Sequence, residues 1–332
     1  MENLIFNQLG SCPSSVKTSD IGSAPFEIKS ASAMDMSNSD FARTATSFRN
    51  FVSQKPDSQF PAKAGRYHLY ISYACPWASR CLAILILKGL EKAISFSSVQ
   101  PLWRKTKESD EHMGWVFPDS DTEVLGADPD RLNENPSLDL YPPNLQTIID
   151  DTNEWIHDDI NNGVYKCGFA TNQETYDVAV KALFHALDRC EETLRKQRFL
   201  CGNTLTETDI RLFVTLIRFD EVYAVIFKCG KRLVREYYNL FNYTKDIYQI
   251  AGLSSTVKMD HIKQNYYGSF PSLNPLEIIP LGTNIDYSWP HDRNRFSSEI
   301  PLRRDCARRE LEHASLVCEL SLILLEIFGR LF

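Results

Sequence analysis

The sequence lacks the features of several protein classes. Its nine cysteines are scattered, odd in number and without the short paired spacing of a zinc site. We therefore expect reduced thiols, a cytoplasmic protein and no bound metal. No Lys/Arg block supplies a basic face, and 36 Lys and Arg against 43 Asp and Glu give a formal charge of −7. This balance argues against nucleic acid as the main partner.

Both ends of the chain lack a recognisable targeting or spanning segment. No basic stretch is followed by an apolar one near the N terminus, so we expect no secretory signal. Residues 1–45 have no sustained hydrophobic period and indicate a flexible arm. Residues 314–332 are apolar, but three charged residues interrupt them, and a helix that binds a partner surface is favoured over membrane association. These charged residues are Glu319, Glu326 and Arg330.

Order is expected from about Phe48 onward. Residues 67–72 have the aromatic and β-branched content of a strand, residues 78–88 are typical of an apolar helix closed by Gly89, and residues 94–99 predict a second strand. A crossover this short favours two parallel strands covered by the helix.

The second half of the chain has helical periodicity. Two apolar stripes at a spacing of three to four residues predict helices, after a long polar segment at 100–140. Thr206 and Asp209 approximate a capping box before an apolar run, which predicts a central buried helix. The first stripe comprises Leu145, Ile148, Ile149, Thr152, Trp155 and Ile156, and the second comprises Tyr176, Val180, Leu183, Leu187, Cys190 and Leu194.

Cys75 lies between the first predicted strand and the helix. A helix N terminus favours a thiolate, and Pro76 suits the first helical turn, so the position predicts a nucleophile. The alternative is a small packed side chain, which is the usual role of a buried cysteine. Because Ala78 stands where a redox pair would place a second cysteine, a reactive Cys75 would act as a single thiol. Cys81 is expected to be structural.

Several motifs in one order resemble a known family. They include CPWA at 75–78, HMGWVF at 112–117, INNGVYKCGFA at 160–170, CGNTLTETDIRLF from 201 and HIKQNYYGS at 261–269. Together these motifs resemble the glutathionyl-hydroquinone reductases, the Xi class of glutathione transferases, over most of residues 48–296. The resemblance implies a thioredoxin-like N-terminal domain and an all-helical C-terminal domain, usually paired in a homodimer.

The resemblance also implies a reaction and its residues. Cys75 is expected to take the glutathionyl group from an S-glutathionyl-hydroquinone, and a second glutathione to release the resulting mixed disulfide. Trp115 matches the family's tryptophan that packs on glutathione, while Tyr165, Tyr223 and Tyr266 match the tyrosines that face the thiol and the aromatic substrate. Phenols can donate and accept the proton that such a ring needs, and Tyr165 is the expected proton shuttle.

The sequence departs from the family between residues 99 and 144. No strand pair, no Val-Pro turn and no Glu-Ser step opening a helix occurs there, as though about fifty residues beside Asn133 were absent, the size of two strands and a helix. The family's contacts to the glutathione backbone lie in that half-domain. We expect the remaining strands to have exposed edges and an uncovered face.

The resulting interpretation is an α/β plus all-α chain with a glutathione-transferase-like fold. Its predicted parts are an arm at 1–45, an incomplete thioredoxin-like domain at 46–140, a helical domain at 141–296 and an atypical tail at 297–332. The predicted function is glutathione-dependent reduction of S-glutathionyl-hydroquinones through Cys75. The alternatives are an inactive helical scaffold and an omega-like glutathione-dependent thiol or dehydroascorbate reductase, which would not need Tyr165.

Overall fold

Two strands and eight helices follow one another along the part of the chain that the structure describes. The computed structural model describes residues 50–296, except 54, 56, 106, 111–112 and 119–137. The predicted arm, the predicted tail and Asn133 lie outside the described residues, and the domain boundaries stay predictions. The elements are β1 Tyr67–Ile71, α1 Pro76–Leu87, β2 Ile94–Ser98, α2 Gln146–Trp155, α3 Gly163–Gly168, α4 Gln173–Lys196, α5 Glu207–Arg218, α6 Ala224–Ile226, α7 Tyr238–Tyr248 and α8 Met259–Gly268.

The N-terminal part is a β-α-β unit, as predicted. Strands β1 and β2 pair in parallel, with Tyr67 opposite Ile94 and Ile71 opposite Ser98. Alternation along β1 buries Tyr67, Leu69 and Ile71 on one face. Among the described residues the sheet contains these two strands and no third.

The opposite face of this sheet is polar and buried. His68 contacts the Ser95 hydroxyl through Nδ1 at 2.7 Å and the Ser97 hydroxyl through Nε2 at 3.0 Å. All three side chains are buried, and burial lowers the pKa of His68. Tyr70 lies on the same face and packs edge-on against Phe117. The expectation of an uncovered face is therefore wrong for these residues, because their polar groups are hydrogen-bonded to one another inside the protein.

Helix α1 joins the small sheet to the helical part. All twelve of its residues are buried, as expected for a helix that is apolar on every side. It packs on β1, on α5 and on the short turn Leu253–Thr256. Gly252 precedes that turn with φ +87°, and a Cβ atom there would lie 2.5 Å from Ile86. Close packing on the helical part therefore supports a helix that has little sheet beneath it.

Helix α5 forms the centre of the helical part and is buried along its whole length, as predicted. The predicted capping box is present, with the Thr206 amide donating to the Asp209 carboxylate at 2.8 Å. The predicted stripe on α2 is correct for Ile149 and wrong for Ile148, whose side chain is 45% exposed. In the segments that the structure describes, no helix is long and apolar enough to cross a membrane.

Asp209 should make stability depend on pH. Burial raises the pKa of its carboxyl from 3.8 to about 6, so the folded chain binds a proton that the unfolded chain has lost. Its contribution is therefore complete below pH 4 and is lost as the pH rises through 6. Compared with Asp209→Asn, the natural protein should lose about 3 kcal/mol of relative stability over that interval.

Urea unfolding of both proteins at several pH values between 4 and 7 measures this difference. Asp151→Asn is the matched control, because Asp151 is exposed on α2. If the unfolding free energies of the natural protein and Asp209→Asn changed with pH in parallel, the raised pKa of Asp209 would be contradicted.

Candidate active site

Cys75 caps the N terminus of α1. Its backbone is extended, with φ −75° and ψ 118°, and Pro76 begins the helix. The thiol is half-buried, whereas the other cysteines in the described part of the chain are fully buried. Burial raises the pKa of Cys81 to about 12 and that of Cys201 to about 11, so these thiols stay protonated. Cys75 therefore has the exposure that a nucleophile needs.

A cavity beside Cys75 collects four of the five predicted site residues. Cys75, Trp115, Tyr165 and Tyr266 all line it, although they come from four separate segments of the chain. Tyr223 does not line the cavity and lies behind Tyr266 with no exposed surface. The remaining lining residues are Ala74, Pro76, Trp77, Trp103, Asn265 and Phe270.

The three predicted tyrosines form one hydrogen-bonded group, which we call the tyrosine triad. The Tyr266 hydroxyl lies 2.5 Å from the Tyr165 hydroxyl and 3.0 Å from the Tyr223 hydroxyl. Burial raises the pKa of Tyr223 and Tyr266 well above 10, and both phenols therefore stay protonated at neutral pH. The triad can donate hydrogen bonds but does not carry a resting negative charge on these two residues.

The hydroxyls of the tyrosine triad can both donate and accept hydrogen bonds. Tyr266 makes hydrogen bonds with both other members. Since Tyr165 and Tyr266 line the cavity, a bound ligand beside Cys75 can receive a hydrogen bond there.

Two π-helical segments place the triad. The segment Ile156–Asn161 precedes α3 and Tyr165, and the segment Phe219–Tyr223 ends with Tyr223 itself. Asn161 fixes the first segment by donating to the Arg211 carbonyl and the Thr215 hydroxyl on α5. Such bulges recur at functional sites because they change the direction of the side chains that follow.

Aromatic rings form a second side of the cavity. Trp103 packs edge-on against Trp115 at 5.7 Å between ring centroids, and its ring is tilted against that of Phe270 at 4.9 Å. The Trp103 amide donates to the Ser269 hydroxyl, while its indole nitrogen is buried without a hydrogen-bond partner in the described structure. These surroundings favour a flat aromatic ligand that offers an oxygen acceptor.

Sequence reasoning did not identify Trp103, Asn265, Phe270 or Arg218. Trp103 carries no local signal, because it lies in a polar segment whose path depends on distant contacts. Arg218 carried a usable signal, since it is a charged residue at the end of the mainly apolar run 212–217 on a helix that was predicted to be buried. For metals, no group of three or more His, Cys, Asp or Glu side chains that could hold an ion occurs within the described ranges.

A half-buried cysteine at the start of α1, a β-α-β unit and a helical second part define a glutathione-transferase-like protein. The family model of the glutathione S-transferase C-terminal domain matches residues 173–246. The glutathione-bound structure of YqjG from Escherichia coli is 38% identical, with a TM-score of 0.64, and the match covers 75% of this chain and 97% of that one. A Xi-class structure from Natrialba magadii gives 38% identity and a TM-score of 0.65, with coverage of 76% and 90%.

Curated relatives show to which family of glutathione-transferase-like proteins the chain belongs. Glutathionyl-hydroquinone reductase YqjG of Escherichia coli is 40% identical over 76% of this chain and 92% of its own. Glutathionyl-hydroquinone reductase PcpF of Sphingobium chlorophenolicum is 35% identical, with coverage of 73% and 89%. The chain belongs to the glutathionyl-hydroquinone reductase family, the Xi class of glutathione transferases.

The alignment with the Escherichia coli relative contains positions that have no counterpart in this chain. The alignment with the Escherichia coli relative spans 312 positions, but 76% of the 332 residues takes part, which is about 252. About 60 aligned positions thus have no residue here, close to the predicted fifty. The two-stranded sheet of the described residues agrees with this loss.

The centre of the triad should matter more for stability than its end. Tyr266→Phe removes the hydroxyl that takes part in both hydrogen bonds, whereas Tyr223→Phe removes one bond. We expect Tyr266→Phe to cost about 2 kcal/mol of unfolding free energy and Tyr223→Phe about half as much, because buried hydroxyls lose their partners. Urea titration measures both values, and an equal or reversed order would contradict the triad's geometry.

Proposed function

We propose that the protein uses glutathione to reduce S-glutathionyl-hydroquinones, with Cys75 as the nucleophile. The observation that carries the proposal is one cavity lined by a half-buried thiol at a helix N terminus and by two hydroxyls of the tyrosine triad. A nucleophile and a proton donor beside one ligand are the groups that this reaction requires. Relatives named glutathionyl-hydroquinone reductase support the choice of substrate class.

The first step cleaves the bond between the aromatic carbon and sulfur. The hydroquinone ring takes its keto form as Tyr165 gives a proton to the carbon that bears sulfur and takes up the proton of the ring hydroxyl. The Cys75 thiolate then attacks the glutathionyl sulfur. A Cys75–glutathione disulfide forms, the carbon–sulfur bond breaks, and its electron pair returns to the ring. The ring oxygen takes up a proton from solvent through Tyr165 to give the hydroquinone. The ring carbon is reduced and the two sulfurs are oxidised.

The second step restores the thiol. A second glutathione thiolate attacks the glutathionyl sulfur of the mixed disulfide, oxidised glutathione leaves, and Cys75 takes up a proton. Trp115 lies on the cavity wall, where its ring can pack against the bound tripeptide. We assign glutathione as the co-substrate and the cytoplasm as the compartment, because a reduced glutathione pool supplies the electrons.

One observation favours a second candidate, an inactive helical scaffold. About 60 aligned positions are absent, and the predicted contacts to the glutathione backbone belong to that block. The intact helical part would then bind a partner without catalysis. A third candidate is an omega-like reductase, since a Schizosaccharomyces pombe relative named glutathione S-transferase omega-like 2 is 36% identical over 75% of this chain and 95% of its own.

Replacing the nucleophile should abolish turnover. Purified protein with glutathione and a glutathionyl-hydroquinone should release free hydroquinone, as followed by chromatography, and Cys75→Ser should reduce the rate by about 10³-fold or more. Cys201→Ser is the control, because Cys201 is buried beside the Thr208 hydroxyl, away from the cavity residues. Absence of turnover by the folded natural protein would reject the enzyme proposal and favour the scaffold.

Removing the proton shuttle should separate two activities. Tyr165→Phe should slow glutathionyl-hydroquinone reduction by about 10²-fold, because ring protonation loses its donor, yet leave exchange of Cys75 with a glutathione mixed disulfide nearly unchanged. Tyr141→Phe is the matched control, since that hydroxyl bonds Asp150 on the surface. Full reduction by Tyr165→Phe would favour the omega-like candidate instead.

A further inference from the structure

Arg218 lies at the end of α5 and is 1% exposed. Its guanidinium reaches across to the segment before Cys75. Nε donates to the Ala74 carbonyl at 3.3 Å, and Nη2 donates to the Tyr73 carbonyl at 2.9 Å. Nη2 also donates to the Ser79 hydroxyl at 2.7 Å, and Nη1 donates to the Val214 carbonyl of its own helix. One side chain thus connects the helical part to the nucleophile's own segment.

This segment, residues 72–75, is the nucleophile loop. Within it the Ala74 amide donates to the Ser72 hydroxyl and the Cys75 amide donates to the Ser72 carbonyl. Internal hydrogen bonds therefore satisfy these amides, while Arg218 binds the carbonyls of the two residues before Cys75. A guanidinium suits this task because its donors have a rigid fork geometry, which a lysine ammonium lacks.

Among the residues that the structure describes, the charge of Arg218 has no acidic partner. All four of its acceptors are neutral, and no carboxylate of the described residues lies within ion-pair distance of it. A buried cation without a counter-charge is costly, because it has lost its hydration. An anion forming at the adjacent Cys75 would supply that counter-charge in a medium of low dielectric constant.

We propose that Arg218 is a positioning residue for Cys75, which it serves in two ways. It fixes the nucleophile loop through the carbonyls of Tyr73 and Ala74, and it places a buried positive charge against the residues that precede the thiol. The inference rests on the proposed function for its purpose, since a nucleophilic thiol benefits from a fixed position and from positively charged surroundings. The geometry itself requires neither glutathione nor a quinone.

Alkylation of Cys75 tests the two roles separately. The full chain is treated with neutral iodoacetamide or anionic iodoacetate, and modification of the Cys75 peptide is followed by mass spectrometry. A buried positive charge accelerates the anionic reagent more than the neutral one. Arg218→Gln should slow iodoacetate by about tenfold and iodoacetamide by about threefold, which lowers the ratio of the two rates.

Arg218→Lys retains the charge and loses the fork. It should keep the natural ratio of the two rates, although both rates fall as the loop loosens. Arg195→Gln is the control, because Arg195 is exposed and pairs with Glu192 on α4. It should leave both rates unchanged. Near-ultraviolet circular dichroism identifies folded samples, and Arg218→Lys provides the test if Arg218→Gln does not fold.

Several results would overturn the proposal. The first is that Arg218→Gln reacts at the natural rates, and the second is that it slows both reagents equally. The third is that Arg218→Lys lowers the ratio of the iodoacetate rate to the iodoacetamide rate as much as Arg218→Gln does. The proposed function is tested separately, because alkylation uses neither substrate. If the Arg218 variants change the alkylation rates as expected but the natural protein shows no turnover, the reductase proposal is rejected and the positioning role of Arg218 is retained.

Discussion

The buried carboxylate of Asp209 is the constraint on which much of the molecule depends. It accepts hydrogen bonds from the Leu200 amide, the Thr206 amide and hydroxyl, and the Tyr243 hydroxyl on α7. These donors come from three different segments, so one side chain fixes where α5 begins. The helix then extends about 18 Å at 1.5 Å per residue. Its far end places Arg218 against the nucleophile loop, and the capping box therefore helps to position that contact.

The same helix explains how a reduced sheet remains part of the fold. Helix α1 is buried on all sides because α5 and the turn Leu253–Thr256 pack against it from the helical part. The polar side of the sheet is stabilised differently, through the hydrogen bonds of His68 to Ser95 and Ser97. A buried polar group costs little when every partner is present, and much when one is lost. Two strands can therefore persist without the rest of the family's sheet.

Local sequence patterns predicted the elements whose causes are local. The β-α-β unit, the position of Cys75 and the capping box of Thr206 and Asp209 all depend on residues close in sequence. The tyrosine triad could not be derived in this way. Tyr165 and Tyr266 meet although 101 residues separate them, and only the family motifs grouped them. Burial of the polar sheet face was missed because it depends on contacts across strands.

The contacts of Arg218 likewise could not be predicted from residues close to it in the sequence. Its contact with the Ala74 carbonyl spans 144 residues, and nothing near either residue in the sequence indicates the other. A charged residue at the end of a buried helix indicates a buried polar contact, but its partner is decided by how α5 packs against α1. The surroundings of Cys75 therefore depend on tertiary packing, whereas its place at the start of α1 depends on the strand–Cys–Pro–helix order.

On the proposed mechanism, the absence of about 60 aligned positions from this chain affects the binding of glutathione and not the step that breaks the carbon–sulfur bond. The nucleophile, the tyrosine triad and the aromatic wall all lie in the parts that remain, and these groups act on the atoms whose bonds change. The glutathione backbone is remote from those bonds, and contacts to it are the same in the ground state and the transition state. Losing such uniform binding raises KM and leaves the chemical step intact. The shortened chain would thus retain its bond-breaking machinery and lose affinity for the co-substrate.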